Sequence, residues 1–386
     1  MGEWKACTIS DLGEVVGGAT PSTKKSENYD NGTISWITPK DLSNFSGRFI
    51  SHGERNITEL GLNSCSTRLL PKNTILFSSR APIGYVAIVQ KELCTNQGFK
   101  SVIPSEDTDY MFLYYLLKYN KVNIENMGSG TTFKEVSGNT MKAIMVSVPI
   151  DKKEQQRIGS ILSMFDDKIE MNNAINENLV QQAQAFYTEM FIANYAHDWL
   201  QGTLSDIATI TMGQSPSGSS YNEDGIGTVF FQGRSEFGFR FPTRRLYTTE
   251  PKRMAQANDV LMSVRAPVGD LNVAYENCCI GRGLGAIRSI DNHQSFVLYT
   301  MFSLKDKLNV FNGEGTVFGS INRDSLNSIP IAIPPVELID NFEEIVAPMD
   351  ATILNNYYEI CRLQALRDSL LPKLMSGELD VSDINI

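Results

Sequence analysis

The sequence is poor in the residue types that hold structural metals. It contains six cysteines and three histidines among 386 residues, and no two cysteines form a CxxC pair. A structural zinc site takes four such ligands at short spacings. The composition therefore argues against a zinc-stabilised fold, and unpaired cysteines are typical of a protein from a reducing cytoplasm.

Long apolar runs are also missing. No stretch reaches the roughly 18 apolar residues that a membrane-spanning helix needs, so the sequence predicts no contact with a membrane. The first residues, MGEWKACTISD, lack the apolar centre of a signal peptide. We therefore expect a cytoplasmic protein.

The sequence also lacks the catalytic motifs of several enzyme classes. The sequence has no GxxxxGK phosphate loop, its Gly281–Gly285 run does not match GxGxxG, and it has no Asn-Pro-Pro or Asp-Pro-Pro segment of the amino-methyltransferase type. No pair of carboxylates stands at a spacing that suggests acid–base work. These absences indicate a chain that recognises a partner and does not itself catalyse a reaction.

The net charge of −10 is carried by two segments. Residues 151–196 hold 4 basic and 7 acidic residues (net −3), residues 335–386 hold 3 and 10 (net −7), and the remainder holds 27 of each. Proteins that bind nucleic acid usually show a basic patch or an excess of basic residues. Here the acidic segments account for the whole imbalance, so basic residues elsewhere are free to cluster.

Both acidic segments carry an apolar seam at alternating steps of four and three residues, the heptad pattern of paired helices. The first seam contains Ile158, Leu162, Phe165, Ile169, Asn172, Asn176, Leu179, Ala183, Phe186 and Met190. The second contains Val346, Met349, Ile353, Asn356, Ile360, Leu363, Arg367, Leu370 and Leu374. From Leu162 onward, each member recurs 184 residues later, Asn172 as Asn356. A buried Asn fixes the register of a helix pair, so we assign Asn172 and Asn356 that role.

The segments between the seams also repeat. WKACTISDLGEVVGGATPS (4–22) matches WLQGTLSDIATITMGQSPS (199–217), offset by 195 residues. NTILFSSRAPIG (73–84) matches NDVLMSVRAPVG (258–269), and GSGTTFKEVS (128–137) matches GEGTVFGSIN (313–322), both offset by 185. The change of offset places an insertion between Leu42 and Asn73, and the chain is organised as globule, helix, globule, helix.

Each globule is predicted to be β-rich with one or two helices. The candidate strands are 34–37, 74–78, 85–89, 99–103 and 144–148 in the first globule, and 229–232, 260–264, 271–275, 285–288 and 329–333 in the second. The segments 110–119 and 296–304 are predicted to be buried helices.

Connection length predicts how the long helices pair. The second helix begins within a few residues of the last predicted strand, which leaves no linker for a parallel arrangement, so the pair is antiparallel. The predicted fold class is α+β, with two β-rich globules joined by two long antiparallel coiled-coil helices and a pseudo-twofold internal repeat. The predicted boundaries are 1–150 for domain one, 151–196 for the first helix, 197–334 for domain two and 335–386 for the second helix.

This order of elements resembles the specificity subunit of type I restriction–modification systems. The features that carry the resemblance are the doubled globule, the GxGTxF loops, the join SVPIDKKEQQRIGSIL and the closing LLPKLMSGEL at 370–379. The second helix opens with VELIDNFEEI and lacks the pair formed by Glu154 and Gln155 in the first.

The resemblance implies a non-catalytic subunit of a prokaryotic enzyme complex. Each globule would read one half of a bipartite asymmetric site in double-stranded DNA, while the helices would set the spacing and dock methyltransferase subunits. A restriction subunit would join the full complex. The chain itself would need no cofactor, since S-adenosylmethionine, ATP and Mg²⁺ belong to the partner subunits. The alternatives are a stand-alone nucleic-acid-modifying enzyme and a coiled-coil scaffold that binds no DNA.

Several basic and polar residues are candidates for DNA contact, because arginine suits guanine edges and phosphates while amide side chains suit adenine. In the first globule the candidates are Lys24, Lys25, Lys40, Arg48, Arg80, Asn96, Gln97 and Thr131. In the second they are Arg234, Arg240, Arg244, Arg245, Lys252, Arg253, Arg265, Arg282 and Thr316. The alternatives are a solvated face for the arginines, and ordinary turns for Asn96, Gln97 and the glycine loops.

The helices are expected to bind protein partners, because their acidic charge makes them poor ligands for DNA. We expect exposed apolar side chains on their outer faces to form the docking surface. The candidates are Ala185, Tyr187, Phe191, Tyr195, Tyr357 and Tyr358.

Overall fold

The computed structural model describes residues 3–43, 45–80, 82–130, 134–313 and 319–381. The chain forms two compact units. The first contains the residues up to Asn172 together with those from Glu359 onward, and the second contains Asn173–Tyr358. The domain boundaries predicted above, which give each long helix a domain of its own, stay predictions.

In its described residues the first unit begins with ten strands and six short α-helices. The strands are β1 (Trp4–Thr8), β2 (Gly13–Gly17), β3 (Ile34–Ile37), β4 (Phe49–Ile50), β5 (Arg55–Ile57), β6 (Ile75–Ser79), β7 (Ile83–Val89), β8 (Cys94–Thr95), β9 (Lys100–Pro104) and β10 (Met145–Pro149). The helices are α1 (Ile9–Leu12), α2 (Pro39–Ser43), α3 (Glu59–Asn63), α4 (Tyr110–Tyr119), α5 (Lys121–Asn126) and α6 (Gly138–Ala143). The long helix α7 (Lys152–Tyr187) follows and contributes residues to both units.

The second unit repeats this order. Its strands are β11 (Leu200–Thr203), β12 (Ala208–Met212), β13 (Tyr221–Asn222), β14 (Thr228–Phe231), β15 (Leu246–Thr248), β16 (Met254–Ala255), β17 (Val260–Ser263), β18 (Leu271–Val273), β19 (Cys278–Ile280), β20 (Leu284–Ser289) and β21 (Pro330–Ile333). Its short helices are α8 (Gln294–Ser303), α9 (Lys305–Asn309) and α10 (Arg323–Asn327), and the second long helix is α11 (Val336–Met375).

The two units share one sheet plan. The sheet order β2-β9-β6-β7 in the first unit corresponds to β12-β20-β17-β18 in the second. A second sheet, called the smaller sheet because its strands contain fewer residues in total, includes the order β5-β3-β8 in one unit and β15-β14-β19 in the other, and in both the last pair is parallel. The α+β class and the internal repeat are confirmed, and every predicted strand is present, with ends shifted by no more than two residues.

The additions to this plan differ between the two units. The first unit adds β4, which pairs with β7, and helix α3, both between Leu42 and Asn73. The second unit instead adds β13 and β16 at the edges of its smaller sheet. The shared strands therefore form a scaffold, and the added strands and helix give each unit its individual surface.

The end strands β1 and β11 were not predicted from the sequence. They pair antiparallel with β10 and β21, so each unit closes by joining its first strand to its last. Only one of the five β1 residues is buried, and none of the four in β11. Strands this exposed give no hydrophobic alternation to detect.

The core of each unit forms where a short apolar helix packs between the main sheet and a long helix. In the first unit this is α4, which is capped by Asp109, whose carboxylate accepts from the Phe112 amide at 2.8 Å. All residues from Phe112 to Leu117 are buried, and they pack with β6 and with Ile158 and Leu162 of α7. Helix α8 has the equivalent position in the second unit.

The long helices pair antiparallel within each unit, as the connection length predicted. In the first unit the Asn172 amide donates to Glu359 at 2.7 Å, while Asp166, six residues earlier, pairs with Arg367, eight residues later. In the second unit the Asn356 amide donates to Asn176 at 2.8 Å. Both predicted register residues thus bond across the helix pair, and their effect on register stays a prediction.

The first heptad seam is correct up to Ala183 and wrong at Phe186. Phe186 is 37% exposed, while the buried residues continue as Ala183, Tyr187 and Phe191 at steps of four. A straight α-helix drifts from a 3.5-residue repeat, and a π-helical turn at Thr188–Ala193 rotates the chain further. The end of α7 therefore packs into the core of the second unit through Tyr187 and Phe191.

No helix in the described ranges combines the length and apolar character needed to cross a membrane.

Candidate nucleic-acid interface

The same hairpin presents one arginine in each unit. Arg80 follows β6 and Arg265 follows β17, and each forms an isolated antiparallel bridge, to Glu135 and Ser320 respectively. In each hairpin a serine hydroxyl closes the turn: Ser78 donates to the Pro82 carbonyl at 2.8 Å, and Ser263 donates to the Pro267 carbonyl at 2.6 Å. The sequence expectation that the two arginines hold the same place is confirmed.

The hairpin requires a glycine, which is Gly84 in the first unit and Gly269 in the second. Their φ angles are +94° and +93°, in the left-handed region that side chains with a Cβ rarely enter. The conformation turns the chain so that the serine hydroxyl also accepts an amide hydrogen bond, from Tyr85 at 2.8 Å or Asp270 at 3.0 Å. The arginine is therefore carried by a rigid, doubly bonded turn.

In the first unit the hairpin arginine belongs to a cluster of two cations and one carboxylate. Glu135 lies 3.8 Å from Arg80 and 3.6 Å from Lys100. The Lys100 ammonium also lies 3.4 Å from the carbonyl of Gln97, an exposed residue whose side-chain oxygen accepts from the Thr20 hydroxyl. We call Arg80, Gln97, Lys100 and Glu135 the first cluster.

In the second unit the same positions form a cationic cleft. Arg265 and Arg282, both exposed, line a cavity of about 690 Å³ together with Ser320. No described residue accepts a hydrogen bond from either guanidinium, and the described residues that line the cavity include no carboxylate. We call Arg265, Arg282, Gly285 and Ser320 the second cluster. Two of the predicted DNA contacts are thus brought together, with guanidinium groups available to a phosphate or a base.

Three further candidate arginines of the second unit are paired with carboxylates. Arg234 pairs with Asp270, Arg244 with Glu276 at 2.6 Å, and Arg245 with Glu236 at 3.2 Å. These three side chains are about half exposed, so they are accessible to DNA although paired. Their contacts with DNA, and those of the exposed Lys252 and Arg253, stay predictions.

Arg240 is a correction to the sequence analysis. Its side chain is only 5% exposed and pairs with Asp350 of α11, while its guanidinium lies 5.4 Å from the Tyr299 ring. A guanidinium enclosed in this way cannot reach a base edge. Its role is to tie the segment between β14 and β15 to the long helix.

Arg48 is the matching correction in the first unit. It is 4% exposed and bonds to Glu170 at 2.9 Å, to the Ser163 hydroxyl at 2.8 Å and to Asp167, all on α7. Burial alone would lower the pKa of this guanidinium, but the bonds to Glu170 and Asp167 raise it above its usual range. Arg48 therefore stays charged as a buried anchor and is not available to DNA.

The remaining candidates for DNA contact in the first unit lie either on the exposed surface or in a turn. Lys24, Lys25 and Lys40 are exposed, and Lys40 pairs with Glu54 at 2.8 Å. The Asn96 side chain accepts from the Gly98 amide at 2.8 Å, which supports the alternative that it serves the turn. The predicted contacts Thr131 and Thr316 lie outside the described residues.

Two of the predicted docking residues are wrong. Tyr187 is 8% and Phe191 4% exposed, because both pack on Phe296 and Phe342 in the second unit. Tyr357 is half-buried, with its ring 4.7 Å from that of Phe241. The exposed members of the set are Ala185, Tyr195 and Tyr358.

Sequence reasoning missed a buried tyrosine–aspartate pair in each unit. Tyr115 donates to Asp166 of α7 at 2.6 Å, and Tyr299 donates to Asp350 of α11 at 3.0 Å. Burial, then the neighbouring carboxylate, raises the pKa of the Tyr115 hydroxyl, which therefore remains a donor. The signal was available, because both tyrosines and both aspartates recur at an offset of 184 residues.

Three comparisons bear on this arrangement. The family model for the type I restriction modification DNA specificity domain matches residues 1–181 and again 196–359. The chain is 33% identical to the MjaIX type I restriction enzyme specificity subunit of Methanocaldococcus jannaschii, over 99% of this chain and 95% of that protein. It is 32% identical to the EcoR124I/EcoR124II specificity subunit of Escherichia coli over 47% of this chain and 44% of the other.

A solved structure shares the fold. The crystal structure of a type I restriction–modification S subunit from M. genitalium superposes with a TM-score of 0.62 at 18% identity, over 99% of this chain and 97% of that one.

Proposed function

The chain belongs to the type I restriction modification DNA specificity family, and from that premise we propose that it is the non-catalytic DNA-reading subunit of such an enzyme. Each recognition domain, meaning the β-rich part of one unit, reads one half of a bipartite asymmetric site in double-stranded DNA. The long helices set the distance between the half-sites and dock methyltransferase subunits. S-adenosylmethionine, ATP and Mg²⁺ bind to the partner subunits. A restriction subunit completes the full complex.

The observation that supports this proposal most directly is the duplicated hairpin. One scaffold presents Arg80 in the first domain and Arg265 in the second, at equivalent bridges. A residue shared by two domains cannot distinguish two different half-sites, so it is suited to a phosphate. The residues around it differ between the domains and are suited to base reading.

A phosphate contact predicts a specific result for Arg265→Ala. Because each cation that neutralises a phosphate releases counterions, the variant should bind every site more weakly by a similar factor. The slope of log affinity against log salt should fall by about one. The measurement is a titration of labelled duplexes at several salt concentrations.

The matched control is Arg362→Ala, which removes an exposed cation from α11 and should leave the salt slope unchanged. A wild-type chain that binds all duplexes equally, or that cleaves or methylates DNA alone, would contradict the proposed function. An unchanged slope in Arg265→Ala would remove only this residue from the interface.

The docking of methyltransferase subunits is supported by an apolar stripe on α7. Met164 and Met171, one heptad apart, are 60% and 57% exposed. Methionine side chains are flexible and polarizable, and they are common on protein-binding surfaces. The outer face of α7 in the first unit thus adds two residues to the candidates Ala185, Tyr195 and Tyr358.

We expect Met164→Glu with Met171→Glu to abolish co-purification of the methyltransferase subunits. Two carboxylates would have to be buried without partners in the interface, which is unfavourable. The measurement is a pull-down from cells that express all subunits. Leu60→Glu, at a 65% exposed apolar residue of α3, is the matched control. Unchanged co-purification of the double variant would place the docking surface elsewhere.

A further inference from the structure

One exposed position follows the parallel strand pair of the smaller sheet in each recognition domain. In the first domain the segment reads Cys-Thr-Asn-Gln-Gly-Phe from Cys94, and in the second Cys-Ile-Gly-Arg-Gly-Leu from Cys279. Gln97 and Arg282 are therefore counterparts at an offset of 185 residues, and both are exposed. The two positions differ in chemistry while the surrounding pattern is the same.

The backbone around the two positions matches bond by bond. The Ser79 amide donates to the Gly98 carbonyl at 2.7 Å, and the Val264 amide to the Gly283 carbonyl at 3.0 Å. The carbonyls of the same two strand residues also accept equivalent bonds. The Val136 amide donates to the Ser79 carbonyl at 2.9 Å, and the Ile321 amide donates to the Val264 carbonyl at 3.1 Å. Each turn is thus locked to the end of the strand that carries the hairpin arginine.

A second set of bonds holds the turn from the other side. The Asn96 amide donates to the Ile37 carbonyl at 3.0 Å, and the Gly281 amide to the Phe231 carbonyl at 2.8 Å. The loop after the second strand of each domain contributes a hydroxyl: Thr20 donates to the Gln97 side chain, and Ser215 accepts from the Arg282 amide at 3.2 Å. Two different side chains therefore extend from equivalent, rigid backbone positions.

The surroundings of the two positions differ in charge. In the first cluster the Glu135 carboxylate lies between Arg80 and Lys100 and offsets one of their two charges. In the second cluster the counterparts of Lys100 and Glu135 are Gly285 and Ser320, so none of the described residues lining the cleft places a carboxylate beside the two arginines. Gln97 therefore sits beside a carboxylate as well as two cations, whereas Arg282 shares its cleft with a second arginine, a positive setting that attracts the acceptor-rich edge of guanine.

We propose that Gln97 and Arg282 are equivalent base-reading residues, Gln97 for adenine and Arg282 for guanine, one in each half-site. A glutamine amide both accepts and donates, which matches N6 and N7 of adenine, and a guanidinium donates twice, which matches O6 and N7 of guanine in the major groove. The Thr20 hydroxyl orients the Gln97 amide and leaves its NH₂ group to donate. This inference rests on the proposed function, since it assumes that the domains read DNA.

The first experiment measures binding of the full chain with its methyltransferase subunits to a panel of single-base variants of its site. In wild type, replacing the adenine or guanine in question should weaken binding roughly 5- to 150-fold. Gln97→Ala should abolish discrimination at one A·T position of one half-site. Arg282→Ala should abolish it at one G·C position of the other. Equal weakening across the panel would show phosphate contacts and overturn the proposal.

The second experiment exchanges the residues. Gln97→Arg should convert the preferred A·T pair of the first half-site to G·C, and Arg282→Gln should make the reverse change in the second. The readout is the methylated sequence in DNA modified by each complex. Methylation of the wild-type sequence by both exchange variants would overturn the inference and leave the proposed function intact. A wild-type complex without sequence preference would overturn both.

Discussion

Replacing Arg240 by alanine is expected to lower the free energy of unfolding of the second unit by about 3 kcal/mol, because it leaves a largely buried carboxylate without its cation. The Asp350 side chain is only 20% exposed, and Tyr299 would remain its described hydrogen-bond partner. The value lies at the low end of the range for broken buried pairs, since some water still reaches Asp350. Chemical denaturation measures the change.

Arg244→Ala is the matched control for this prediction. The pair that Arg244 forms with Glu276 is 47% and 31% exposed, so its loss should cost at most about 1 kcal/mol. Both variants remove one guanidinium from the same stretch of chain and differ in burial. Equal destabilisation would show that Asp350 is solvated and that Arg240 does not anchor the domain.

We expect the loss of Arg240 to weaken specific DNA binding as well. Arg240 on the segment before β15 contacts α11, while Arg48 in the first unit contacts the corresponding face of α7. Each recognition domain is thus anchored to a long helix by one buried arginine, and the arginine is a positioning residue. Specific DNA affinity should fall in Arg240→Ala even under conditions where the chain remains folded.

A larger effect on DNA binding is expected when one heptad is inserted into each long helix. Helix α7 contributes residues to both units, so seven added residues lengthen it by about 10 Å, equivalent to roughly three base pairs. If the helices set the spacing, affinity for the original site should fall to the non-specific level, a loss on the order of a thousandfold or more. Affinity should return on sites with a longer spacer and unchanged half-sites.

The heptads are inserted directly after Asn172 in α7 and directly before Glu359 in α11. The hydrogen bond between Asn172 and Glu359 then remains on one side of the insertions, and the bond between Asn176 and Asn356 remains on the other. Binding of the variant is measured against duplexes whose spacers differ by single base pairs. Duplexes with either half-site scrambled serve as controls, because recognition must still depend on both halves. A folded and assembled variant that prefers the original spacing would show that the helices do not act as a ruler.

The seam shows where sequence reasoning worked and where it failed. Up to Ala183 the heptad positions are buried or half-buried, because two helices that pair closely must keep one face toward each other. Beyond it, Tyr187 and Phe191 enter the core of the second unit. A periodicity count cannot detect such a change of partner, since the new partner, Phe342, is distant in sequence.

The sequence by itself determined the order of domains and helices, the antiparallel pairing and the equivalence of Arg80 with Arg265. These features follow from periodicity, repeat offsets and connection lengths, which can be read from the order of residues alone. Only the tertiary structure decided which cations remain available to DNA. Arg240 meets Asp350 and Arg48 meets Glu170 across more than a hundred residues, whereas Arg265 and Arg282 meet no described carboxylate. Exposure and ion pairing depend on contacts between distant segments, so identical arginines in one sequence become a buried anchor or an open site.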